Sequence, residues 1–385
     1  EFTWKTIAST LAYSAHRIPE ISDDIYSIDR SMKWGFGWDM GPFEVWDILG
    51  LEESVKRMKG EGIKIPSWVD NMIADGYTSF YKYVNNELSY FDIVEKTYKV
   101  LPFSNKELSF STLKKRNNLI KQNWSASIVD MGDEIVGVEL HSVLKEDLNP
   151  IDGSIMETLK EAKDWIVDNN YKGMVISSDS KNFSAGANLN MILDFAEKKD
   201  YDSLESVIDL MQGLMQELRF SPFPVVAAPF GLVLGGGFET IGACDRIVAS
   251  AESYIGLVEV GVGLIPGAGG NLRMISRLTK KIDTMVPGAF PIVQKAFETI
   301  GYAKVSFSGK QAQAYGYLQK DDIIVNNREY LLHEAKNVAL NMSDGYNAPE
   351  VESFKLPGTS GRLAISTMVK GLVKTKKISE YDALI

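Results

Sequence analysis

Residues 231–239 read Gly231-Leu232-Val233-Leu234-Gly235-Gly236-Gly237-Phe238-Glu239, a strand-like apolar run that turns through three glycines into a helix. A second turn of this kind, Phe183-Ser184-Ala185-Gly186-Ala187-Asn188-Leu189, lies earlier in the chain. The first N–H groups of a helix lack intrahelical partners, and small residues such as Gly186 and Gly235 let a ligand approach them. Two such helix starts that converge on one oxygen would form an oxyanion hole. Each turn alone is equally consistent with simple packing.

A third stretch, residues 255–270, places Glu259 in otherwise apolar, glycine-rich surroundings. An acid there is costly unless it is exposed, paired or functional. Glu239 lies just inside a helix start. Taken alone, either glutamate could simply be a carboxylate that stabilises the N-terminus of a helix. The glycines of this stretch do not fit the dinucleotide-binding fingerprint, because its third glycine position falls on Pro266 or Leu272.

The sequence around these stretches predicts a layered α/β domain over residues 124–385. Short β-rich runs alternate there with helical patterns, which is typical of βαβ units. The predicted strands cover 135–140, 174–176, 224–228 and 246–249, and a helix is predicted over 154–168. Beyond Thr279 the pattern is mainly helical.

The N-terminal part of the chain has a different pattern. Residues 1–84 carry apolar residues at helical spacing and predict a smaller all-helical domain. Residues 85–123 show little clear period and are interpreted as a connecting segment. The basic run Lys114-Lys115-Arg116 within them is interpreted as a solvated face rather than a phosphate-binding patch. A chain of 385 residues also exceeds the roughly 250–300 at which a single core usually stops growing, so we expect more than one domain.

Composition limits the possible partners and compartments. A formal net charge of −10 argues against a broad nucleic-acid surface. The single cysteine, Cys244, excludes an internal disulfide and is predicted to be buried, and the histidines His16, His141 and His333 show no metal-ligand spacing. No apolar run approaches the roughly 20 residues that cross a bilayer, and no signal-peptide pattern is present, so we expect no membrane insertion and a cytoplasmic location. Because the chain starts at Glu1 without a methionine, we expect it to be a piece of a longer protein.

Together the three stretches resemble the crotonase, or enoyl-CoA hydratase/isomerase, superfamily. The resemblance runs from about Ser125 to Leu278 with the spacing intact, and it implies a ββα spiral core with C-terminal helices. It also implies that the N–H groups of Ala187 and Gly236 hold the thioester oxygen of the substrate. The carbonyl of Ala185 would contact the adenine of coenzyme A.

The resemblance extends to the two acids. Glu239 and Glu259 match the two glutamates of the hydratases, and Gly267 matches a glycine whose backbone lies beside the second of them. Two departures occur: Asn188 stands where many members have Asp, although Asn can also cap a helix, and Phe238 is bulkier than the usual small residue. We expect Phe238 to affect the packing of the acyl chain.

The N-terminal run Met32 to Gly50, with its Gly-Pro-Phe-Glu-x-x-Asp pattern, resembles the helical C-terminal domain of 3-hydroxyacyl-CoA dehydrogenases. From the residues alone it is an amphipathic helix after a Gly-Pro turn. In that family a nicotinamide-binding domain lies upstream, and no such domain is recognised in this sequence. NAD is therefore expected only for an upstream dehydrogenase domain. The whole arrangement resembles the C-terminal part of a bacterial bifunctional β-oxidation protein.

These features lead us to expect an enoyl-CoA hydratase that acts on an acyl-CoA thioester, with no metal and no redox cofactor, and possibly assembled as a homo-oligomer. Glu239 would activate the water and Glu259 would supply the proton at C2. The alternatives are a Δ3-Δ2 enoyl-CoA isomerase and a dehydrogenase fragment with a non-catalytic docking domain. The presence of both glutamates favours the hydratase.

Overall fold

The computed structural model describes residues 1–85, 87–102, 104, 106–281 and 288–385. Clustering of the chain by its own contacts gives two units, Glu1–Ser104 and Asn105–Ile385. Each unit has a hydrophobic core of its own.

In its described residues, the first unit has five helices followed by a small sheet. The helices are α1 (Phe2–His16), α2 (Ile25–Phe36), α3 (Pro42–Leu49), α4 (Leu51–Gly60) and α5 (Ser67–Ala74), and the strands are β1 (Tyr81–Val84), β2 (Glu87–Asp92) and β3 (Thr97–Val100). The strands pair antiparallel in the order β1-β2-β3. Phe43, Trp46 and Phe80 are completely buried in the core of this unit, and the rings of Phe43 and Phe80 lie 5.0 Å apart.

This sheet corrects the predicted bounds of the first domain. Residues 1–84 are not all helical, and residues 85–123 are not a connection, since β2 and β3 belong to the first unit. The strands span only four to six residues. In β2 the buried residues are Ser89, Phe91 and Asp92, so buried apolar and exposed polar residues do not alternate along it. Such short and mixed runs give no readable period.

The Gly-Pro-Phe-Glu pattern has a structural role in starting α3. The Gly41 N–H donates to Glu44 at 2.7 Å, and the carboxylate of Asp29 accepts the N–H groups of Phe43 at 2.9 Å and Glu44 at 3.1 Å. A Cβ on Gly41 would lie 2.2 Å from the Cβ of Asp29, so only glycine fits there. The interpretation as a helix after a Gly-Pro turn is confirmed, with Pro42 as the first helical residue. Asp29 was not predicted, because it caps α3 from another helix.

The second unit alternates strands and helices and ends in a helical segment. Its first half contains α6 (Phe110–Lys115), β4 (Leu119–Gln122), β5 (Ala126–Asp130), β6 (Ile135–Leu140), α7 (Gly153–Asp168), β7 (Gly173–Ser177), α8 (Leu189–Lys198) and α9 (Tyr201–Arg219). The second half contains β8 (Val225–Ala227), β9 (Gly231–Leu234), α10 (Gly236–Ala243), β10 (Arg246–Ser250), β11 (Ser253–Gly256), α11 (Gly270–Lys281), α12 (Phe290–Gly301), α13 (Gly309–Tyr315), β12 (Ile323–Val325), α14 (Leu331–Ser343) and α15 (Gly358–Lys374), with short 3₁₀ helices at Glu259–Val262 and Arg328–Tyr330.

Two sheets organise the part of this unit that the structure describes. The larger has seven strands in the order β12-β10-β8-β7-β6-β5-β4. Strands β6, β7, β8, β10 and β12 are parallel to one another, whereas β5 pairs antiparallel with both β6 and β4. The smaller is the parallel pair β9 and β11. Side chains alternate between two cores: Met174 and Ile176 of β7 pack in the core that includes α7, while Val175 packs in the one that includes α14. A sheet buried on both faces requires strands of nearly continuous apolar character.

The predicted elements of this unit are confirmed. The strands predicted at 135–140, 174–176, 224–228 and 246–249 are β6, β7, β8 and β10, and the predicted helix is α7. The α/β fold class with C-terminal helices is confirmed as well. The interpretation of the basic run was wrong for Lys114, which forms an ion pair with the buried Glu139, whereas Lys115 and Arg116 are exposed.

Candidate active site

The two glycine-rich turns lie side by side. The chain after β7 runs as an extra short strand along β9, with the Ser184 N–H donating to the Leu232 carbonyl at 3.0 Å and the Leu234 N–H donating to the Ser184 carbonyl at 3.0 Å. Both segments then turn into helices, α8 and α10. The structure thus brings together two turns that are separated by almost fifty residues in the sequence.

Glycines make this close approach possible. Gly186 has φ +106°, and a Cβ there would lie 3.0 Å from the Leu234 carbonyl oxygen. A Cβ on Gly237 would lie 2.7 Å from the Ser184 carbonyl oxygen, a distance that real contacts do not show. Gly235, with φ +51°, is the residue before α10 and adopts a backbone conformation that favours glycine.

Two backbone N–H groups lie close together at these helix starts. A Cβ on Gly236 would lie 3.4 Å from the Ala187 nitrogen, and a Cβ on Gly186 would lie 3.5 Å from the Gly236 nitrogen. Among the described residues, neither the Ala187 nor the Gly236 N–H has a hydrogen-bond acceptor. The carbonyl oxygen of Ala185 likewise accepts no hydrogen bond from the described residues. These are the two donors and the acceptor that the resemblance implied.

Glu239 is held in α10 by a loop that the sequence did not predict. Its side chain is only 4% exposed, and Oε1 accepts the N–H groups of Ala268 and Gly270, each at 2.8 Å. Burial raises the pKa of Glu239, while these two N–H donors act to lower it. A carboxylate with two such donors has its ionised form stabilised. The sequence signals this loop only by its glycine-rich run, Pro266–Gly270, and the run does not indicate which of the two glutamates the loop contacts.

Glu259 begins a 3₁₀ helix, and the surroundings of its carboxylate differ from those of the Glu239 carboxylate. The residue is half-buried, but both carboxylate oxygens are buried and have no hydrogen-bond partner among the described residues. Oε1 lies 3.4 Å from the position of a Cβ on Gly235, so the carboxylate faces the start of α10. Burial, together with the nearby charge of Glu239, raises the pKa of Glu259 to about 7. The N–H groups of Val258 and Glu259 itself partly offset this rise, although neither makes a hydrogen bond of normal geometry.

Gly267 lies in the loop that positions Glu239. Its carbonyl accepts a hydrogen bond from the Gln212 side chain at 2.7 Å. Ala268 and Gly270 of the same loop donate to Glu239, so the loop is hydrogen-bonded both to the first glutamate and to α9. The expected proximity of Gly267 to Glu259 stays a prediction.

The two departures from the family pattern have clear structural settings. The Asn188 side chain caps α8 by accepting the Asn190 N–H at 3.2 Å, as expected for an Asn at a helix start. Phe238 is completely buried and packs edge-on against Tyr317, with ring centroids 4.9 Å apart. The Tyr317 hydroxyl accepts the Leu257 N–H at 3.2 Å and so fixes the chain just before Glu259. Tyr317 was missed because it comes from the helical region after Thr279.

The geometry can polarise a carbonyl oxygen and move protons beside it. Two open N–H donors at helix starts favour negative charge on one ligand oxygen. Burial raises the pKa of both acids, but only Glu239 has hydrogen bonds from two N–H donors that favour its ionised form, so Glu239 is the better proton acceptor of the two and Glu259 the better donor. Cys244 takes no part, because it is buried in the core as predicted.

Comparison with known families agrees with this geometry. Residues 134–287 match the family model described as enoyl-CoA hydratase/isomerase. This matched region contains both turns and both glutamates. The crotonase resemblance is thereby confirmed.

Individual relatives extend the similarity to the rest of the chain. The chain is 39% identical over 381 residues to a probable 3-hydroxyacyl-CoA dehydrogenase of Bacillus subtilis, covering 98% of this chain and 47% of that protein. A fatty acid oxidation complex subunit alpha of Aliivibrio fischeri is 33% identical over 174 residues, covering 43% of this chain and 25% of that protein. An enoyl-CoA hydratase structure from Bacillus anthracis has a TM-score of 0.47 at 22% identity, covering 68% of this chain and 86% of that one. The chain thus spans about half the length of the Bacillus subtilis relative.

None of the helices in the described ranges is both long and apolar enough to cross a bilayer. The cytoplasmic location stays a prediction.

Proposed function

We propose that the chain is the hydratase part of a bifunctional fatty-acid β-oxidation protein and converts trans-2-enoyl-CoA to 3-hydroxyacyl-CoA. The observation that carries the proposal is the contrast between two buried carboxylates: among the described residues, Glu239 accepts two N–H hydrogen bonds and Glu259 accepts none. Hydration requires one group that takes a proton from water and another that gives a proton to carbon. The names of the two relatives support the placement in β-oxidation.

The thioester oxygen would bind at the N–H groups of Ala187 and Gly236. Attack of water on C3 pushes charge onto that oxygen, and each fixed donor contributes roughly 3–4 kcal/mol to stabilising it. Substrate approach to this backbone depends on the absence of side chains at Gly186 and Gly235. The Ala185 carbonyl would accept a hydrogen bond from the adenine amino group of coenzyme A.

Proton transfer follows from the two environments. The Glu239 carboxylate takes a proton from water as the water oxygen bonds to C3. The Glu259 carboxyl group, neutral below a pKa of about 7, gives its proton to C2. The product therefore gains one hydroxyl and one hydrogen, and the proton gained by Glu239 must return to Glu259 before the next turnover. This chemistry requires no metal or redox cofactor; NAD would serve only a dehydrogenase domain upstream.

The alternatives are less well supported. An isomerase needs only one carboxylate to carry a proton between C4 and C2, which leaves the second buried acid without a role. A docking domain would gain nothing from an unpartnered buried carboxylate, because such a group costs stability.

Hydration assays on the chain and on the variants Glu239→Gln and Glu259→Gln test the proposal. Glutamine preserves shape but cannot exchange the proton, so we expect each variant to lower kcat by at least about 100-fold. Glu252→Gln is the matched control, because Glu252 is exposed near the same region. Wild-type activity in either of the first two variants would reject the two-glutamate mechanism. Conversion of trans-3-enoyl-CoA to trans-2-enoyl-CoA without any hydrated product would favour the isomerase.

A further inference from the structure

The side chain of Tyr317, just after α13, projects from a firmly held piece of backbone. The residue is completely buried, and its N–H donates to the Ala312 carbonyl at 3.0 Å. Its carbonyl accepts a hydrogen bond from the buried Arg277 side chain at 3.2 Å. Gly316 before it has φ +95°, and a Cβ there would lie 2.6 Å from Leu278 Cδ2, so the turn requires glycine. The ring of Tyr317 therefore starts from a fixed position.

The hydroxyl group of Tyr317 joins two chain segments that are distant in sequence. It accepts the Leu257 N–H at 3.2 Å and donates to the Lys304 carbonyl at 2.8 Å. Leu257 is completely buried. Since a buried N–H group that loses its acceptor is costly, the backbone at Leu257 depends on this hydroxyl for its position.

The segment held by this hydroxyl reaches both candidate acids. Leu257 precedes Glu259 by two residues, and the Glu259 carboxylate has no hydrogen-bond partner among the described residues. The position of that carboxylate therefore depends on the backbone that carries it. The side chain of Leu257 lies against the loop that binds the other acid, because a Cβ on Gly270 would be 2.8 Å from Leu257 Cδ2, and the Gly270 N–H donates to Glu239.

The ring of Tyr317 also contacts the helix that carries Glu239. It packs edge-on against Phe238, the neighbour of Glu239 in α10, with ring centroids 4.9 Å apart and planes at 70°. This is a favoured geometry for two buried aromatic rings. The end of β11 is joined to the start of α10 by a further bond, in which the Gly235 N–H donates to the Gly256 carbonyl at 2.9 Å. One side chain thus contacts α10 beside one acid and holds the backbone before the other.

We infer that Tyr317 is a positioning residue for hydration, which holds the Glu259 carboxylate at a fixed separation from Glu239. The inference rests on the proposed hydratase function and deepens it. Tyr317 takes no part in proton transfer, because backbone groups occupy its hydroxyl both as donor and as acceptor. It acts through Leu257 on Glu259. Displacement of a reacting group by about 1 Å can lower a rate by about 100-fold.

The variant Tyr317→Phe tests this role, because it keeps the ring beside Phe238 and removes only the hydroxyl. We expect kcat for hydration of crotonyl-CoA to fall by at least about 10-fold, with KM within about threefold. Tyr346→Phe is the matched control. The Tyr346 hydroxyl is partly buried in the same unit and donates to Asp245 at 2.9 Å, away from both acids. Its loss should lower thermal stability but leave kcat within about twofold of the wild type.

The pH profile separates positioning from a general loss of stability. In the wild type we expect kcat to fall as pH rises through about 7, where Glu259 loses its proton. A looser backbone lets water reach this carboxylate and separates it from Glu239, and both changes lower the pKa of Glu259. Tyr317 itself stays neutral over this range, since burial raises its pKa to about 12. The fall in kcat should therefore move to lower pH by at least about half a unit in Tyr317→Phe and stay in place in Tyr346→Phe.

Two kinetic results would overturn the inference. One is a folded Tyr317→Phe variant with the kcat and the pH profile of the wild type. The other is an equal fall in kcat in the Tyr317 and Tyr346 variants, which would indicate that any lost buried hydroxyl has the same effect.

Two further measurements decide the inference when kinetics fail. If the wild type hydrates no thioester, the proposed function fails, and the ¹³C NMR titration of the Glu259 carboxyl group replaces the rate. A lower midpoint in Tyr317→Phe alone would support positioning, and an unchanged midpoint would reject it. If that variant does not fold, hydrogen exchange at the Leu257 amide of the wild type decides. Exchange as slow as in β11 would support the inference, and exchange as fast as at exposed amides would reject it.

Discussion

Glu239 and Glu259 carry the same side chain in different surroundings, and this difference is the basis of the proposal that Glu259 holds the proton. Glu239 accepts hydrogen bonds from two N–H groups at the loop before α11, whereas the carboxylate of Glu259 accepts none within the described ranges of the chain. A buried carboxylate without donors is more stable when protonated. The sequence identifies both acids but leaves open which one holds the proton, because the donors to Glu239 come from backbone about thirty residues away.

The raised pKa of Glu259 predicts how activity depends on pH. We expect kcat for hydration to fall as pH rises through about 7, because the proton-donating form of Glu259 is lost on that side. Above this pKa the decrease should approach about tenfold per pH unit. Initial rates at saturating substrate measure it. A kcat that stays constant from about pH 6 to about pH 9 would contradict the assignment of Glu259 as the acid.

The same group predicts a pH-dependent effect on stability. In the folded protein the pKa of Glu259 is about 7, above the value of about 4.3 expected for an unfolded chain. Unfolding therefore releases a proton between these values, so the folded state loses stability as pH rises from about 4.3 to about 7 and remains penalised above that. Glu259→Gln removes the penalty. We expect it to raise the free energy of unfolding by about 1–3 kcal/mol near pH 8 and by less than about 1 kcal/mol near pH 5.

Thermal unfolding of the wild type and the variant at the two pH values measures this effect. Glu252→Gln again serves as the control, since an exposed glutamate should show no such difference. An equal change in Tm at both pH values would contradict the stated environment of Glu259.

At the level of elements, the two turns act as a unit because α10 packs on the Ser184 backbone without side chains between them. Gly237→Ala would place a Cβ 2.7 Å from the Ser184 carbonyl oxygen and push the two helix starts apart. We expect a loss of about 1–3 kcal/mol in stability and a fall in kcat, because overpacking is costly and the two N–H donors would no longer converge. Circular dichroism and hydration kinetics measure the two effects.

Gly213→Ala provides the comparison within a helix. Gly213 lies in α9, and a Cβ there would have no atom within 4 Å. Alanine should stabilise that helix by about 0.5–1 kcal/mol and leave kcat unchanged. If both variants behave alike, the close approach at Gly237 is not what holds the site together.

The strands of the second unit could be predicted because each is a buried apolar run bounded by turns. β6, for instance, is buried at all six positions and matches the predicted bounds. The first unit shows the limit of this reasoning. There β1 and β3 are four-residue strands with partly exposed positions, and no period can be recognised in so few residues.

At the scale of the whole molecule, local motifs located the two glycine-rich turns but not the side chains that pack around them from distant parts of the chain. The roles assigned to Ala187, Gly236, Glu239 and Glu259 stay predictions. The contact of Tyr317 with the chain before Glu259 depends on how the helices after Thr279 fold back, which local patterns do not specify. The chain covers 47% of its Bacillus subtilis relative.

The central claim is that this chain adds water across an enoyl thioester with one proton delivered to C2. Incubation of the chain with crotonyl-CoA in D₂O, followed by NMR and mass spectrometry, tests it directly. We predict 3-hydroxybutyryl-CoA with a single deuterium at C2, because one fixed acid protonates one face of the double bond. No hydrated product, deuterium at C4, or two deuterium atoms at C2 would contradict the claim.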